Sequence, residues 1–262
     1  MIHLPEITEQ VRVLCSLAAD FISKEAEGFS SSKVELKGKS DLVSYVDKQT
    51  EELIVQGLKE ILPDSGFITE EDTPDETDKE YIWIIDPLDG TTNFIHGLPT
   101  YAVSVALMYQ NEIILGVVHE VNRNESFYAW KGGGAFLNNK PIHVTPVTKT
   151  EDSLFATGFP YYQFHKLENY LAILNDLMKN CHGLRRIGSA AVDMAYVACG
   201  RCEGFFEYNL NSYDIAAGVI LVQEAGGKVT DFKGGTDFLF GREMVAAGSV
   251  HEEFLKVIQK NW

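Results

Sequence analysis

The sequence predicts a mixed protein of two halves, the first α+β and the second α/β, and three observations support this fold class. Two amphipathic helical patterns open the chain, and apolar segments separated by turn residues follow, which is typical of an antiparallel meander sheet. From residue 154 onward, strand-like segments alternate with helical patterns, which indicates a second, mixed sheet. The polar segment 145–152 separates the two parts, so we place the domains at residues 1–147 and 148–262.

Two helices are predicted near the start of the chain. Pro5 stands where the first helical turn begins, and apolar residues then recur at helical spacing. A second helix is expected to begin at Asp47, as its N-cap, and to stop at Pro63. The polar segment 30–40 between them predicts a mobile loop. It carries three lysines that are more simply explained as solvated than as phosphate ligands: Lys33, Lys37 and Lys39.

Short apolar segments predict the strands of the first half. Residues 67–69 form a short strand that delivers Glu70 and Glu71, and residues 81–85 form a strand buried on both faces. Further strands are expected at 101–109, 112–121, 125–130 and 142–145, with a hairpin turn at 110–111. The glycine-rich segment 131–134 lacks the spacing of nucleotide-binding loops, so we interpret it as a tight hairpin turn.

The second half alternates strands and helices. Strands are predicted at 154–157, 204–208, 228–231 and 244–247. Helices are predicted at 167–178, at 189–199, from Tyr213 to a glycine stop at 226–227, and from Val250 onward. The segment 159–164 is unusually aromatic. We favour core packing for it, and a platform for a nucleotide base is the alternative.

Composition excludes several classes of partner. The net charge of −16 at pH 7 opposes binding to a nucleic-acid backbone or to an anionic membrane surface. No apolar segment approaches the length that crosses a bilayer, and the N-terminus lacks the pattern of a signal peptide. Cys199 and Cys202 have C-x-x-C spacing, but no second pair completes a zinc site. We therefore expect free thiols and a cytoplasmic protein.

The segment 83–94 carries the strongest chemical pattern in the chain. Asp86 and Asp89 follow a buried strand, and the proline between them stiffens the turn. Two carboxylates at a strand end suit a hard divalent cation such as Mg²⁺. The small residues at 90–92 open a short helix, whose free N–H groups and positive dipole end suit a phosphate. A single Asp in a turn is ordinary, but the whole segment favours metal-assisted phosphoryl chemistry.

Three ordered motifs resemble a known family. The segment Asp86-Pro-Leu-Asp-Gly-Thr-Thr-Asn-Phe resembles the first signature of the inositol monophosphatase family of Mg²⁺-dependent phosphatases. Ile68-Thr69-Glu70-Glu71 lies upstream of it and Tyr213-Asp214-Ile215-Ala216-Ala217-Gly218 lies downstream, in the family's order. The resemblance extends over essentially the whole chain, and three motifs together are more specific than one. It implies a layered αβαβα sandwich.

The resemblance also implies a role for each matching residue. Two or three Mg²⁺ ions would be held by Glu70, Asp86, the carbonyl of Leu88, Asp89 and Asp214. Glu70 and Thr91 would orient and deprotonate the attacking water, and Asp47 would pair with the Thr91 hydroxyl. Substrate contacts would come from Asp89, Gly90, Thr91, Thr92, Gly188, Ser189, Ala190 and Glu207.

Simpler explanations stand beside these roles. Helix capping by itself explains Asp47 and Asp214, and an exposed residue at a strand end explains Glu207. The chain also departs from the family pattern, because Thr69 replaces a glycine and Tyr213 replaces a tryptophan. We expect both changes to preserve the metal site and to alter the wall of the substrate pocket.

These observations predict a Mg²⁺-dependent, lithium-sensitive phosphomonoesterase. The expected substrate is inositol 1-phosphate or a similar small polyol phosphate, hydrolysed by attack of an activated water. Alternatives with the same metal site are phosphatases for NADP⁺, fructose 1,6-bisphosphate or 3′-phosphoadenosine 5′-phosphate. The intact acidic set argues against a metal-binding regulatory protein that has lost catalysis, and the resemblance further implies a homodimer.

Overall fold

The computed structural model describes residues 2–29, 34–38, 41–71, 73, 76–159, 161 and 165–262, with the backbone alone described over 34–38 and 41–44. The helices within these ranges are α1 (Leu4–Glu27), α2 (Tyr45–Ile61), α3 (Thr91–Ile95), α4 (Leu167–Asn180), α5 (Ala190–Ala198), α6 (Ser212–Glu224) and α7 (His251–Asn261). The strands are β1 (Val34–Gly38), β2 (Asp41–Ser44), β3 (Gly66–Thr69), β4 (Tyr81–Asp89), β5 (Ala102–Tyr109), β6 (Glu112–Glu120), β7 (Glu125–Trp130), β8 (Gly134–Leu137), β9 (Lys140–Ile142), β10 (Leu154–Thr157), β11 (Gly183–Arg185), β12 (Gly204–Tyr208), β13 (Lys228–Thr230) and β14 (Glu243–Ala247).

Two large sheets and three helical layers make up the described fold. Seven strands form one sheet in the order β3-β4-β5-β6-β7-β8-β9, antiparallel except for the parallel pair β3–β4. Five strands form a mixed sheet in the order β11-β10-β12-β14-β13. Helices α1 and α2 cover the outer face of the first sheet, α5 and α6 lie between the sheets, and α4 and α7 cover the second. The expected αβαβα sandwich is confirmed.

Strand β4 is buried on both faces, as predicted. Trp83 and Ile85 pack in the cluster formed with α1 and α2, whereas Ile82 and Ile84 pack in the cluster formed with α5 and α6. Successive side chains of a strand point to opposite faces, so a strand between two helical layers needs a continuous apolar sequence. That requirement explains why β4 shows no polar alternation.

Small residues let the middle helices approach the seven-stranded sheet and each other closely. A Cβ at Gly116 of β6 would lie 2.6 Å from Cγ2 of Ile220 in α6, and a Cβ at Gly218 would lie 2.6 Å from Cβ of Met194 in α5. Helices α5 and α6 are buried along almost their whole length, which requires apolar side chains on every side. This close packing brings the start of each helix to the carboxyl end of β4.

The structure corrects several sequence expectations. Helix α2 begins at Tyr45, so Asp47 lies inside its first turn and is not its N-cap. The predicted loop at 30–40 contains β1, which pairs with β2, while Lys33 and Lys39 lie outside the described residues. The strand predicted at 142–145 is β9 at Lys140–Ile142, because the turn before it lies at Asn138 and Asn139, where φ is +46° and +67°. Asparagine tolerates that left-handed conformation in two-residue hairpins.

Other broad expectations have mixed outcomes. The four cysteines are free thiols, as expected. No helix in the described part of the chain is long and apolar enough to span a bilayer. The division at residues 147 and 148 stays a prediction: the two sheets lie on either side of it, but α5 and α6 pack against both.

Candidate active site

The carboxyl end of β4 brings Asp86 and Asp89 together through a bulge. Asp86 pairs with Ser104 of β5 and Asp89 pairs with Ala102, so three steps along β4 match two along β5. In a regular strand, residues three apart point to opposite faces, and the extra residue cancels that difference. The backbone N–H of Leu88 donates to Oδ1 of Asp86 at 3.0 Å and fixes this turn.

Two other elements add carboxylates to this bulge. Parallel pairing of β3 with β4 aligns Thr69 with Ile85, so Glu70 and Asp86 leave their strands side by side and share a hydrogen bond. Asp214 lies in the first turn of α6, where the N–H of Asn211 donates to its Oδ2 at 2.5 Å. Ligand oxygens of Asp86, Asp89 and Asp214 lie within 4.8 Å of one another. The structure therefore brings together acidic residues that the sequence motifs predicted as cation ligands.

The electrostatics of this acidic cluster favour a cation. Burial, followed by repulsion between neighbouring acids, raises the pKa of both Glu70 and Asp86 well above the usual range. Burial and the charge of Asp89 raise the pKa of Asp214 to about 7. Burial raises the pKa of Asp89 to about 6, against the opposing effect of its hydrogen bonds. A set of carboxylate oxygens whose charges repel one another has the chemistry that fits a hard cation such as Mg²⁺.

Thr91 lies at the start of α3 and contacts two of the predicted residues. Its hydroxyl lies 2.8 Å from Oδ1 of Asp47 and 3.0 Å from the carbonyl oxygen of Leu88. Asp47 is fully buried, so a simple capping role does not describe it. The pairing of Asp47 with Thr91 that the family resemblance implied is present.

Asp89 is held by the start of α5. The Ser189 hydroxyl donates to Oδ2 of Asp89 at 2.5 Å, and the N–H of Ala191 donates to the same oxygen at 2.7 Å. Ser189 also caps α5 by accepting from the N–H of Val192. The Ser189 hydroxyl is thus occupied by Asp89 and the helix, and contact of the segment 188–190 with substrate stays a prediction.

Glu207 lies at the end of β12, on the far side of the cleft. A Cβ at Gly158 would fall 2.0 Å from its carboxylate, so a larger residue there would displace the Glu207 side chain from this position. Burial and the charge of Asp214 raise the pKa of Glu207 to about 8. Asp193 of α5 is fully buried nearby, and its pKa is raised well above the usual range by burial and then by Glu207. Glu207 therefore lies within electrostatic reach of Asp214 and Asp89 of the acidic cluster.

Sequence reasoning missed two residues that organise this cleft. Asn93 donates to the carbonyl oxygens of Thr100 at 2.8 Å and Ile187 at 3.0 Å, which ties α3 to the second half of the chain. Arg186 is an exposed cation whose charge lowers the pKa of Asp89 and of Glu207. The sequence feature that could have identified Arg186 is its position beside the Gly188-Ser189 segment, because cations are few in a chain of net charge −16.

The aromatic segment 159–164 is only partly described. Phe159 packs against the apolar cluster of α4 and α7, which supports core packing for that residue. Tyr161 is 58% exposed, and the Arg186 guanidinium lies 5.7 Å from its ring centroid. Residues 160 and 162–164 lie outside the described part of the chain, so the platform for a base stays a prediction.

The raised pKa values predict how stability responds to Mg²⁺ and pH. Asp89 and Asp214 have pKa values of about 6 and 7 in the folded chain, against 3.8 for each as an unperturbed side chain. The cation-free folded state therefore binds more protons than the unfolded state, and its stability falls as pH rises through this window. Mg²⁺ competes with those protons, so the rise in Tm on adding Mg²⁺ should be larger at about pH 8 than at about pH 5.

A comparison of melts with Mg²⁺ and with chelator isolates this effect from other titrating groups such as His251, whose pKa burial lowers to about 4. Asp214→Asn should lose most of the Mg²⁺-dependent rise, whereas the exposed Asp152→Asn should keep it. An equal Tm rise at both pH values would show that the cluster does not bind the cation.

Comparison with known proteins agrees with this geometry. The chain matches the inositol monophosphatase family over residues 4–262. It is 41% identical to an inositol-1-monophosphatase from Mesorhizobium japonicum, covering 91% of each chain. It is equally 41% identical to the Nus factor SuhB of Escherichia coli K12, covering 87% of this chain and 86% of that one.

Solved structures give the same result. The extragenic suppressor protein suhB from Bartonella henselae superposes with a TM-score of 0.93 at 36% identity, covering 98% of this chain and 100% of that one. The IMPase of Thermotoga maritima superposes with a TM-score of 0.86 at 33% identity, covering 95% of each. The chain belongs to the inositol monophosphatase family.

Proposed function

We propose that this protein is a Mg²⁺-dependent phosphomonoesterase that hydrolyses inositol 1-phosphate or a similar small polyol phosphate. The observation that carries the proposal is the close approach of the Asp86, Asp89 and Asp214 oxygens, within 4.8 Å of one another, beside the Thr91–Asp47 pair. Acidic oxygens suit the cation, and the threonine hydroxyl suits a water nucleophile. The family supports a phosphatase, and the choice of substrate is the part that this proposal adds.

Glu70, Asp86, Asp89, Asp214 and the carbonyl of Leu88 would hold the cations. When bound, the cations supply positive charge that neutralises the phosphate and lowers the pKa of the attacking water. Thr91 orients that water. Its hydroxyl has one proton, which it directs to Asp47 at 2.8 Å, so its lone pairs remain to accept a hydrogen bond from the water. Glu70 then accepts the proton that the water gives up.

The rest of the cleft supplies binding for the ester. The first N–H groups of α3, from Gly90 to Thr92, have no partner within the helix and suit the phosphoryl oxygens. Arg186 adds a positive charge that draws an anionic substrate toward an acidic protein. Glu207 accepts hydrogen bonds from hydroxyls of the leaving group, a feature that inositol and sugars share.

A second function is favoured by the relatives named Nus factor SuhB. Two features bear on it in this chain: the 41% identity to the Escherichia coli protein and the net charge of −16. The charge disfavours direct contact with a nucleic-acid backbone, so a role of this kind would rest on contacts with protein. The alternative to a phosphatase is therefore a regulatory protein whose role depends on surface contacts with another protein and not on bound metal ions.

The expected homodimer and cytoplasmic location belong to the same proposal. The homodimer rests on the family resemblance alone. The free thiols are typical of a reducing compartment.

The experiment that tests the proposed function measures phosphate release from a panel of phosphomonoesters with Mg²⁺ and with chelator. Asp86→Asn should remove detectable turnover while the protein stays folded, because it deletes a carboxylate at the centre of the cluster. The exposed Asp152→Asn is the matched control and should turn over normally. Full activity in chelator, or in Asp86→Asn, would contradict the proposed mechanism.

Thr91→Val tests the orientation of the attacking water separately from cation binding. The substitution keeps the shape of the side chain and removes the hydroxyl, so kcat should fall about 10²–10⁴-fold, the range for a lost acid–base partner. The Mg²⁺ concentration for half-maximal activity should hardly move. If it shifts as strongly as kcat, Thr91 contributes to the cation site.

Glu207→Gln tests the polyol assignment. At about pH 9, above the Glu207 pKa of about 8, this side chain is ionised; losing its charge-assisted hydrogen bond costs about 1.5–3 kcal/mol, so kcat/KM for inositol 1-phosphate should fall about 10–100-fold. Hydrolysis of p-nitrophenyl phosphate, which has no hydroxyl on its leaving group, should stay near normal. Equal losses for both substrates would assign Glu207 to the fold or the cations, and no loss for either would remove it from the substrate site.

A further inference from the structure

Glu51 of α2 is a buried acid that none of the three sequence motifs contains. It is 2% exposed and lies one helical turn after Asp47, on the same face of the helix. Its carboxylate accepts two backbone hydrogen bonds from the segment that follows β3. The N–H of Glu71 donates to one oxygen at 2.8 Å, and the N–H of Thr73 donates to the other at 2.8 Å. A single side chain of α2 therefore holds two points of that segment.

The segment held in this way carries Glu70. Strand β3 fixes its start, because Thr69 pairs with Ile85 of β4. The Glu51 carboxylate fixes the residue that follows Glu70, through the N–H of Glu71. The backbone of Glu70 is consequently held on both sides, and its side chain leaves the chain beside the acidic cluster.

Two further contacts fold the same segment back onto β3. The Thr69 hydroxyl donates to the carbonyl oxygen of Thr73 at 3.1 Å. Phe67 and Glu76 exchange both of their backbone hydrogen bonds, at 3.0 and 2.8 Å. These contacts close the segment on its own strand, and the two bonds to Glu51 join it to α2.

Helix α2 reaches the candidate active site at two points. Asp47 accepts a hydrogen bond from the Thr91 hydroxyl at 2.8 Å, and Glu51, four residues later, accepts from the segment that carries Glu70. Four residues of a helix span about 6 Å along its axis. One helix therefore sets the Thr91 hydroxyl relative to Glu70, and these are the two groups that the proposed mechanism places around the attacking water.

We propose that Glu51 is a positioning residue, which acts on the cation site through Glu70. This role rests on the proposed function, in which Glu70 is a cation ligand and a proton acceptor. Both acceptor oxygens of the carboxylate are needed, because a glutamine has one acceptor oxygen and would turn an NH₂ group toward an N–H donor. Groups that hold a metal ligand in place typically contribute about 10–100-fold to metal affinity or activity.

The first test measures backbone amide exchange in the unaltered chain, with Mg²⁺ and with chelator. Coupling between two sites is reciprocal, so a cation that fixes Glu70 also stabilises the bonds that hold its segment. Mg²⁺ should therefore slow the exchange of the two N–H groups bonded to Glu51. The matched control is a second pair of N–H groups, those of Gly132 and Gly134, which donate to the Glu224 carboxylate at 2.9 and 2.8 Å. Their exchange should change little.

The second test measures the apparent Kd for Mg²⁺ in variants by calorimetric titration. Glu51→Gln should raise this Kd about tenfold or more. Glu224→Gln breaks the matched pair of bonds, at the opposite end of α6 from the acidic cluster, and should leave the Kd unchanged. In a chain that already carries Glu70→Gln, adding Glu51→Gln should produce no further change, because the ligand that Glu51 positions is gone.

Three results would overturn this role of Glu51. Unchanged exchange of the two N–H groups on adding Mg²⁺ would show that the cation site is not coupled to the segment, and this measurement decides alone if Glu51→Gln does not fold. An unchanged Kd in Glu51→Gln would show that the bonds do not position a ligand. An equal rise in Kd with and without Glu70→Gln would assign Glu51 to the general stability of the fold.

Failure of the proposed function has a different signature. No phosphate release from any ester of the panel, with the responses to Mg²⁺ as expected, would contradict the phosphatase and leave the positioning role of Glu51 in place. Normal phosphate release with an unchanged Kd in Glu51→Gln would do the reverse.

Discussion

The mutual repulsion of buried carboxylates is the constraint on which the rest of the site depends. Like charges at this distance in a poorly solvated cleft raise one another's pKa values, and the fold must hold them together without the help of a cation. Backbone features hold the carboxylates together: parallel pairing of β3 with β4, a bulge before Asp89, and helix starts at Ser189 and Asp214. A cation bound at this cluster would restore the stability that the arrangement costs, and it would couple folding to metal binding.

Close packing of the middle layer decides where the site lies. Glycines at 116 and 218 allow α5 and α6 to approach the sheet and each other, so both helices begin at the carboxyl end of β4. Asn93 then ties the signature helix to Ile187, and Gly188 suits the next position because its φ of +98° is one that other residues rarely adopt. The active site is consequently built from both halves of the chain.

The two faces of the seven-stranded sheet present different chemistry. The acidic cluster lies at one face, and the opposite face carries a cleft lined by residues of α1, β6, β7 and the turn between β8 and β9. Relatives at the same level of identity are named for an enzyme and for a Nus factor.

The sequence by itself determined most of the strands and helices and the acidic residues of the cluster, because their signals are local: apolar periodicity, turn residues and one contiguous motif. Asp47 was misplaced as a cap, since its partner Thr91 lies 44 positions away and only folding brings them together. The roles of Arg186, Asn93 and Glu51 likewise depend on contacts between distant segments. Contacts between distant segments produce no periodic pattern in the sequence, so they can be recognised only in the tertiary structure.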